Sequence, residues 1–218
     1  MGNLRWILIL LAVLAALTGL ALPKLAPGLV RRLTLALLGE KGRANVGQNV
    51  LARQPDRITL APHSTPAGAE AKAILEALAW AGYRPAGSFA VVEMDRLPIH
   101  FVVKPAECAV AAVYEHPKAG VWFDLFTRYE DGTSFTLATG RKGGGLDQRP
   151  GHPTLRAPGL NAAAARARFL RERPAGAFKS FSAAEVPGMF ADAYAEAMTW
   201  RKQHGITAAE VQRVGLEK

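Results

Sequence analysis

The sequence predicts an α+β protein: an apolar N-terminal transmembrane helix, then one domain in which an antiparallel β-meander of about five strands is packed with helices. Three observations lead there. Residues 6–22, from Trp6 to Leu22, form an uncharged apolar run. Between Ser88 and Thr139, alanine gives way to β-branched and aromatic residues, with turn residues at short intervals. On either side of that stretch apolar residues recur at three and four, the helical period.

At about 1.5 Å rise per residue the first run extends roughly 25 Å as a helix, the lower end of what crosses a hydrocarbon core. Arg5 and Trp6 before it and Lys24 after it suit the interfacial zones, where charges snorkel and amphipathic rings settle. A cleaved signal peptide is the competing reading, since Arg5 makes a positive start and Gly19-x-Ala21 places small residues at cleavage spacing. The run outlasts an ordinary signal core, however, and Leu20, Leu22 and Leu25 keep it apolar past that point. A retained single-pass anchor over 1–23 is therefore favoured. A buried core helix would carry a polar stripe, and only Thr18 and Gly19 interrupt this one. Lys24, Arg31, Arg32 and Lys41 come after the run while Arg5 alone precedes it, which favours the cytoplasmic face over export for the downstream domain.

Residues 24–56 read as a juxtamembrane segment. Leu29, Val30, Leu33, Leu37 and Leu38 share a helical face with Arg31 and Arg32 off it, as in an interfacial helix or one docked on the domain. Residues 40–56 lack a sustained apolar period and carry Gly42, Asn45, Gly47, Asn49 and Pro55, the composition of a linker. The α+β domain occupies 57–218. It opens with a short strand over 57–61, ended by Pro62. Thr65-Pro66 then offers a cap and a first-turn proline for a helix reaching Ala81, with Ile74 and Leu78 inward.

Strands are expected over 88–95 and 99–104, then from the end of Pro105-Ala106-Glu107 to Glu115, over 121–129 and over 133–139. The last two flank Glu130-Asp131-Gly132, where Asp-Gly supplies the positive φ of a tight hairpin. A long basic loop over 143–159 contains Pro150, Pro153 and Pro158; Asn161 then caps a helix over 162–173 that Pro174 stops. Ser182-x-x-Glu185 opens a helix with Val186, Met189, Phe190, Ala193, Tyr194, Ala197 and Met198 on its inner face, ending at His204-Gly205. Thr207-x-x-Glu210 repeats the capping signal. A helix followed by an antiparallel meander resembles the small ligand-holding α+β folds of the cystatin-like group, a likeness of layout that implies no function.

The formal net charge of +9 is unevenly placed. Between 140 and 179, Arg141, Lys142, Arg149, Arg156, Arg166, Arg168, Arg171, Arg173 and Lys179 face only Asp147 and Glu172. Beside an anchor, anionic lipid is the simplest partner for such a patch, at about 1 kcal/mol per basic residue near the surface. Nucleic acid is an unlikely partner because the basic stretch carries only Phe169 and Phe178 as aromatics and no recognisable module. A single cysteine, Cys108, excludes an internal disulfide and cysteine-rich zinc sites. His63, His100, His116, His152 and His204 show no paired ligand spacing, so no metal is expected. Gly140 to Gly145 lacks the Lys-Ser/Thr of a phosphate loop.

For catalysis the only cast is Glu93 and Asp95 in an apolar strand, His100 between Ile99 and Phe101, and Asp124 between Phe123 and Leu125, where burial would raise a carboxyl pKa toward acid–base use. Trp122 and Phe126 would form a partner surface if no helix covered them. Together these readings describe a membrane-anchored binding or assembly module without a cofactor. The Ala-, Arg- and Gly-heavy usage suggests a high-GC bacterial source. Arg31, Arg32, Arg141, Lys142 and Arg149 would meet the lipid bilayer and the sheet would meet a protein partner. The alternative is a small membrane-tethered enzyme or ligand carrier with a pocket between helix and meander.

Overall fold

Residues apolar on two successive positions, rather than alternate ones, decide the architecture. Phe101-Val102-Val103 and Val110 through Val113 present large or small apolar groups to both sides of their strands, the pattern of a sheet covered on both faces. The computed structural model describes residues 37–141 and 145–216. Its elements in chain order are α1 (Gly39–Ala52), β1 (Leu60–Pro62), α2 (Ala69–Trp80), β2 (Arg84–Val91), β3 (Leu97–Lys104), a 3-10 turn (Pro105–Glu107), β4 (Ala109–His116), β5 (Gly120–Tyr129), β6 (Ser134–Ala138), β7 (Thr154–Arg156), α3 (Ala162–Glu172), β8 (Phe178–Lys179), α4 (Val186–His204) and α5 (Ala208–Leu216). The expected anchor over 6–22, together with Arg31, Arg32 and Lys142, lies outside the described residues. Among those described, no helix is long and apolar enough to cross a membrane.

The strands lie in the order β1 to β7, each antiparallel to the next except the last pair. β7 runs parallel to β6, so the sheet is mixed, and a strand stands inside what the sequence presents as a continuous basic loop. Residues 139–153 supply the crossover that a parallel neighbour needs. With Val110 opposite Phe126, β5 outruns the start of β4, and β8 pairs with the protruding Arg128 and Tyr129.

One face of the sheet, with Val113, Phe123, Leu125 and Leu137, packs under Leu78 of α2 and Phe169 of α3. The other, with Ile99, Phe101, Val103 and Val110, packs against Phe181, Val186 and Phe190 at the start of α4. Helices thus cover both faces of the sheet.

Three local expectations are also corrected. Residues 39–52 form a helix rather than a linker, because α1 docks through a small-residue contact instead of a wide apolar stripe: a Cβ on Gly47 would lie 2.8 Å from the Ile206 carbonyl oxygen, and Leu51 is buried beside it. Helix α2 begins at Ala69 without a side-chain cap from Thr65; the Gly68 amide instead donates to Glu115 Oε2 at 2.9 Å, from the far end of β4. β2 stops at Val91, and Asp95 and Arg96 sit at φ of 50° and 55° in the turn after it.

The close seat of Gly47 makes a direct prediction. Gly47→Ala should lower the stability of the full chain by about 1–2 kcal/mol in urea unfolding, because overpacking outweighs the roughly 1 kcal/mol gained in helix propensity. An unchanged midpoint would show the α1 contact to be slack.

Candidate functional site

Helix α4 packs tightly against the apolar face of the sheet only near its start. Val186 is its one fully buried residue, and the Phe190 ring lies 5.0 Å from that of Phe101 and 6.3 Å from that of Phe126. Farther along, the apolar stripe of Ala193, Tyr194, Ala197 and Met198 is no more than half-buried, although its spacing is that of a core face. The space beneath it, floored by β5, β6 and β7 and walled by Val50 and Leu51 of α1 and by residues 146–149, is a cavity of 690 Å³. That lies within the range of small-molecule sites.

Glu210 holds this roof in place. The residue is 1% exposed, and its carboxylate accepts from the Thr207 amide (2.8 Å) and hydroxyl (2.9 Å), the Asp147 amide (2.9 Å) and Arg201 Nη1 (2.7 Å). Burial alone would raise its pKa, but the Thr207 and Asp147 amides, the Thr207 hydroxyl and Arg201 outweigh it and hold the group down to about 2. One carboxylate thus caps α5, fixes the C-terminal half of α4 and fastens the loop before β7.

Register orders the cavity floor. Ala112, Asp124, Ala138 and Arg156 stand in one row across β4 to β7, and Phe126, Thr136 and Thr154 in the next. Arg128 and Ser134 lie beyond them. The small Ala112 and Ala138 leave room above Asp124. Asp124 lies deep between the layers, and its Oδ1 is buried without a hydrogen-bond partner. Burial pushes its carboxyl up to about 7, against the Arg156 guanidinium, the Tyr114 hydroxyl and the Thr139 amide, all of which favour the charged form. Burial and the neighbouring Asp124 in turn push the Tyr114 hydroxyl well above its ordinary range. Tyr114 is further fixed by stacking on Trp122 at 4.9 Å.

At the other end, Arg128 Nη2 and Arg149 Nη1 both donate to Glu196 Oε2, at 2.9 and 3.2 Å. Burial raises the Glu196 pKa, yet the two guanidiniums outweigh it and hold it below its usual value. His152 Nδ1 and Ser134 Oγ are 2.8 Å apart, and burial together with the charges of Arg149 and Arg128 lowers the imidazole pKa. The cavity therefore carries ionisable groups at both ends, with Phe126, Thr136 and Thr154 on the floor between them.

The structure separates the residues singled out from sequence. Asp124 alone of the acid–base cast lines the cavity. His100 is on the opposite face, 3% exposed, with Nδ1 2.8 Å from Ser88 Oγ and Nε2 2.7 Å from Glu115 Oε1. Since Glu115 also receives the Gly68 amide, this chain ties the first turn of α2 to three strands. Glu93 accepts the Thr59 amide at 2.8 Å, which holds its carboxyl below the usual range. Asp95 stays in the turn after β2. Phe126 is on the cavity floor under α4, and Trp122 covers Gly140. Arg141 is exposed, whereas Arg149 reaches Glu196 at the cavity edge.

Sequence reasoning passed over Tyr114, Arg128 and Glu196, and counted Arg156 only as part of the basic stretch. The one available signal was the alternation of Trp122, Asp124, Phe126 and Arg128 along β5, which puts two ionisable groups on one face. Among the described residues no group of three or more His, Cys, Asp or Glu side chains could hold a metal ion. No family model, no curated protein and no solved structure matches the chain.

The folded protein keeps the Asp124 proton to about pH 7, while the unfolded chain releases it near the ordinary value of 3.8. Stability at this residue therefore falls as pH rises between those values and stays lost above them, by on the order of 2–4 kcal/mol at roughly 1.4 kcal/mol per pH unit. In urea unfolding across that window, Asp124→Asn should remove this part of the decline. Parallel pH profiles for parent and variant would contradict the burial of the charge.

Proposed function

We propose that the protein is a membrane-tethered ligand carrier that holds a small amphipathic molecule between α4 and the sheet. One observation carries the reading: a 690 Å³ cavity lined by Phe126, Met189, Phe190, Tyr194 and Met198, with Asp124, Arg128, Arg156 and Glu196 among its few ionisable groups. A cleft of that size, mostly apolar with a few convergent polar groups, is the usual form of a small-molecule site.

Placement at a membrane rests on the apolar run 6–22 and on the segment directly after it. Leu37, Leu38 and Val46 are exposed apolar residues on and just before α1, on the chain segment nearest that run, and Arg31 and Arg32 lie between. Val50, on the same helix, is half-exposed and lines the cavity, so a lipid-seated α1 would bring the entrance close to the bilayer. The Lys/Arg balance around the run supports a cytoplasmic-facing domain. Trp80, 92% exposed at the end of α2, is the observation that favours the second reading, an assembly module with a protein partner.

Two measurements test the proposal. The full chain, mixed with phosphatidylcholine vesicles, should float with them in a density gradient; recovery of intact chain from the lipid-free fraction would remove the anchor. In phosphatidylcholine nanodiscs, the uncharged dye phenylnaphthylamine should brighten on the protein above an empty-disc blank. Ala193→Phe, which fills part of the cavity, should weaken that binding about tenfold or more with stability kept or raised. Equal dye binding by parent and variant, or none by the parent, would defeat the carrier reading.

A further inference from the structure

The charged groups around the cavity close on one another. Arg128 and Arg149 both donate to Glu196. Around His152, burial lowers the imidazole pKa, those two guanidiniums lower it further, and Glu196 and Asp131 oppose them. Two positive charges therefore meet two negative ones at that end. At the other end Arg156 donates to the Gly140 carbonyl at 2.8 Å, and its charge opposes the burial that raises the Asp124 pKa. At the roof, Arg201 pairs with Glu210 at 2.7 Å and the Asp147 carboxylate with Arg213 at 2.5 Å. What remains for a guest to cover is hydrocarbon and aromatic ring, at Phe126, Met189, Phe190 and Met198.

Resting on the carrier reading above, we infer that the occupant is an uncharged single-chain amphiphile, such as a long-chain alcohol, and that Glu196 sets this preference. A charged head drawn into the space gives up its hydration and finds no free countercharge, since each one is already held by a partner within the protein. A hydroxyl head loses far less, and its chain gains by covering the apolar lining. At 690 Å³ the space suits a drug-sized molecule, one chain rather than the two of a phospholipid. Glu196 is decisive because both guanidiniums close on it; without it, Arg128 and Arg149 outnumber the acids at their end.

The test is displacement of phenylnaphthylamine from the full chain in phosphatidylcholine nanodiscs by dodecanol, dodecyl sulfate and dodecyltrimethylammonium, which share one chain and differ in head charge. The buffer is held a unit above the Asp124 value of about 7, where that carboxyl is ionised opposite Arg156. Probes are compared at equal concentration in the disc, measured on empty discs. Dodecanol should displace the dye at about tenfold lower concentration than either ion. Glu196→Gln frees a positive charge and should bring dodecyl sulfate to within about threefold of dodecanol while leaving dodecyltrimethylammonium behind. A merely structural role for Glu196 would weaken all three alike.

An ion that displaces the dye from the parent as well as dodecanol does would overturn the uncharged occupant. A Glu196→Gln protein with the parent's order of probes, or with all three weakened alike, would overturn the role of Glu196. Arg149→Gln gives the reciprocal reading if that variant does not fold: with one guanidinium gone the end turns negative, and dodecyltrimethylammonium rather than dodecyl sulfate should gain. Loss of selectivity with the dye still bound defeats this inference alone, whereas a parent that binds no dye defeats the carrier reading.

Discussion

A single buried carboxylate determines the form of the half of the molecule that encloses the cavity. Glu210 cannot be protonated near neutrality, because amide and guanidinium donors converge on it and stabilise its charge. A buried charge with that many partners has one low-energy geometry, and removing any partner leaves charge stranded at a cost of several kcal/mol. The consequence is mechanical. The far half of α4, the start of α5 and the loop before β7 are fixed to one another, and Arg128 of β5 ties them to the sheet through Glu196 with the cavity between the layers. The near half of α4 collapses onto Phe101 and Phe126 as an ordinary core helix does.

Features that depend on neighbours in the chain were readable from sequence. The Asp131-Gly132 turn forms as expected, with Gly132 at φ 86° and the Asp131 carboxylate accepting both the Thr133 amide and hydroxyl. Asn161 accepts the Ala164 amide as a cap, and Thr207 and Glu210 exchange the paired bonds of a capping box. Features set by distant partners were not. Nothing in Thr154-Leu155-Arg156 announces a strand until β6 is beside it. Helix α1 was missed because its contact is made by a glycine, which no hydrophobic pattern records.

Of the acid–base candidates only Asp124 stands in the site, beside Phe126 and Arg149, which the sequence marked for other roles. Asp124 stood out as a carboxylate among apolar neighbours, and its raised pKa is the result of the burial that placement implies. Its setting was hidden for a physical reason: a stripe such as Ala193, Tyr194 and Ala197 has the same spacing whether it seals a core or spans a void. What distinguishes the two is the distance at which remote tethers hold the helix, and that is written in Arg201, Asp147 and Glu210, residues with no local pattern in common. His100 shows the converse. It looked equally chemical in sequence, yet both its ring nitrogens are engaged with Ser88 and Glu115, where it fastens α2.

The outermost strands, β1 and β7, are each three residues long, and β1 ends in Pro62, which has no amide hydrogen to offer. β8 occupies the length of β5 that projects beyond β4. Among the described residues the ladder thus presents no long margin onto which another chain could zip, so recruitment by strand addition and fibril-type growth are both disfavoured. Crowding of many copies would therefore not by itself nucleate cross-β association.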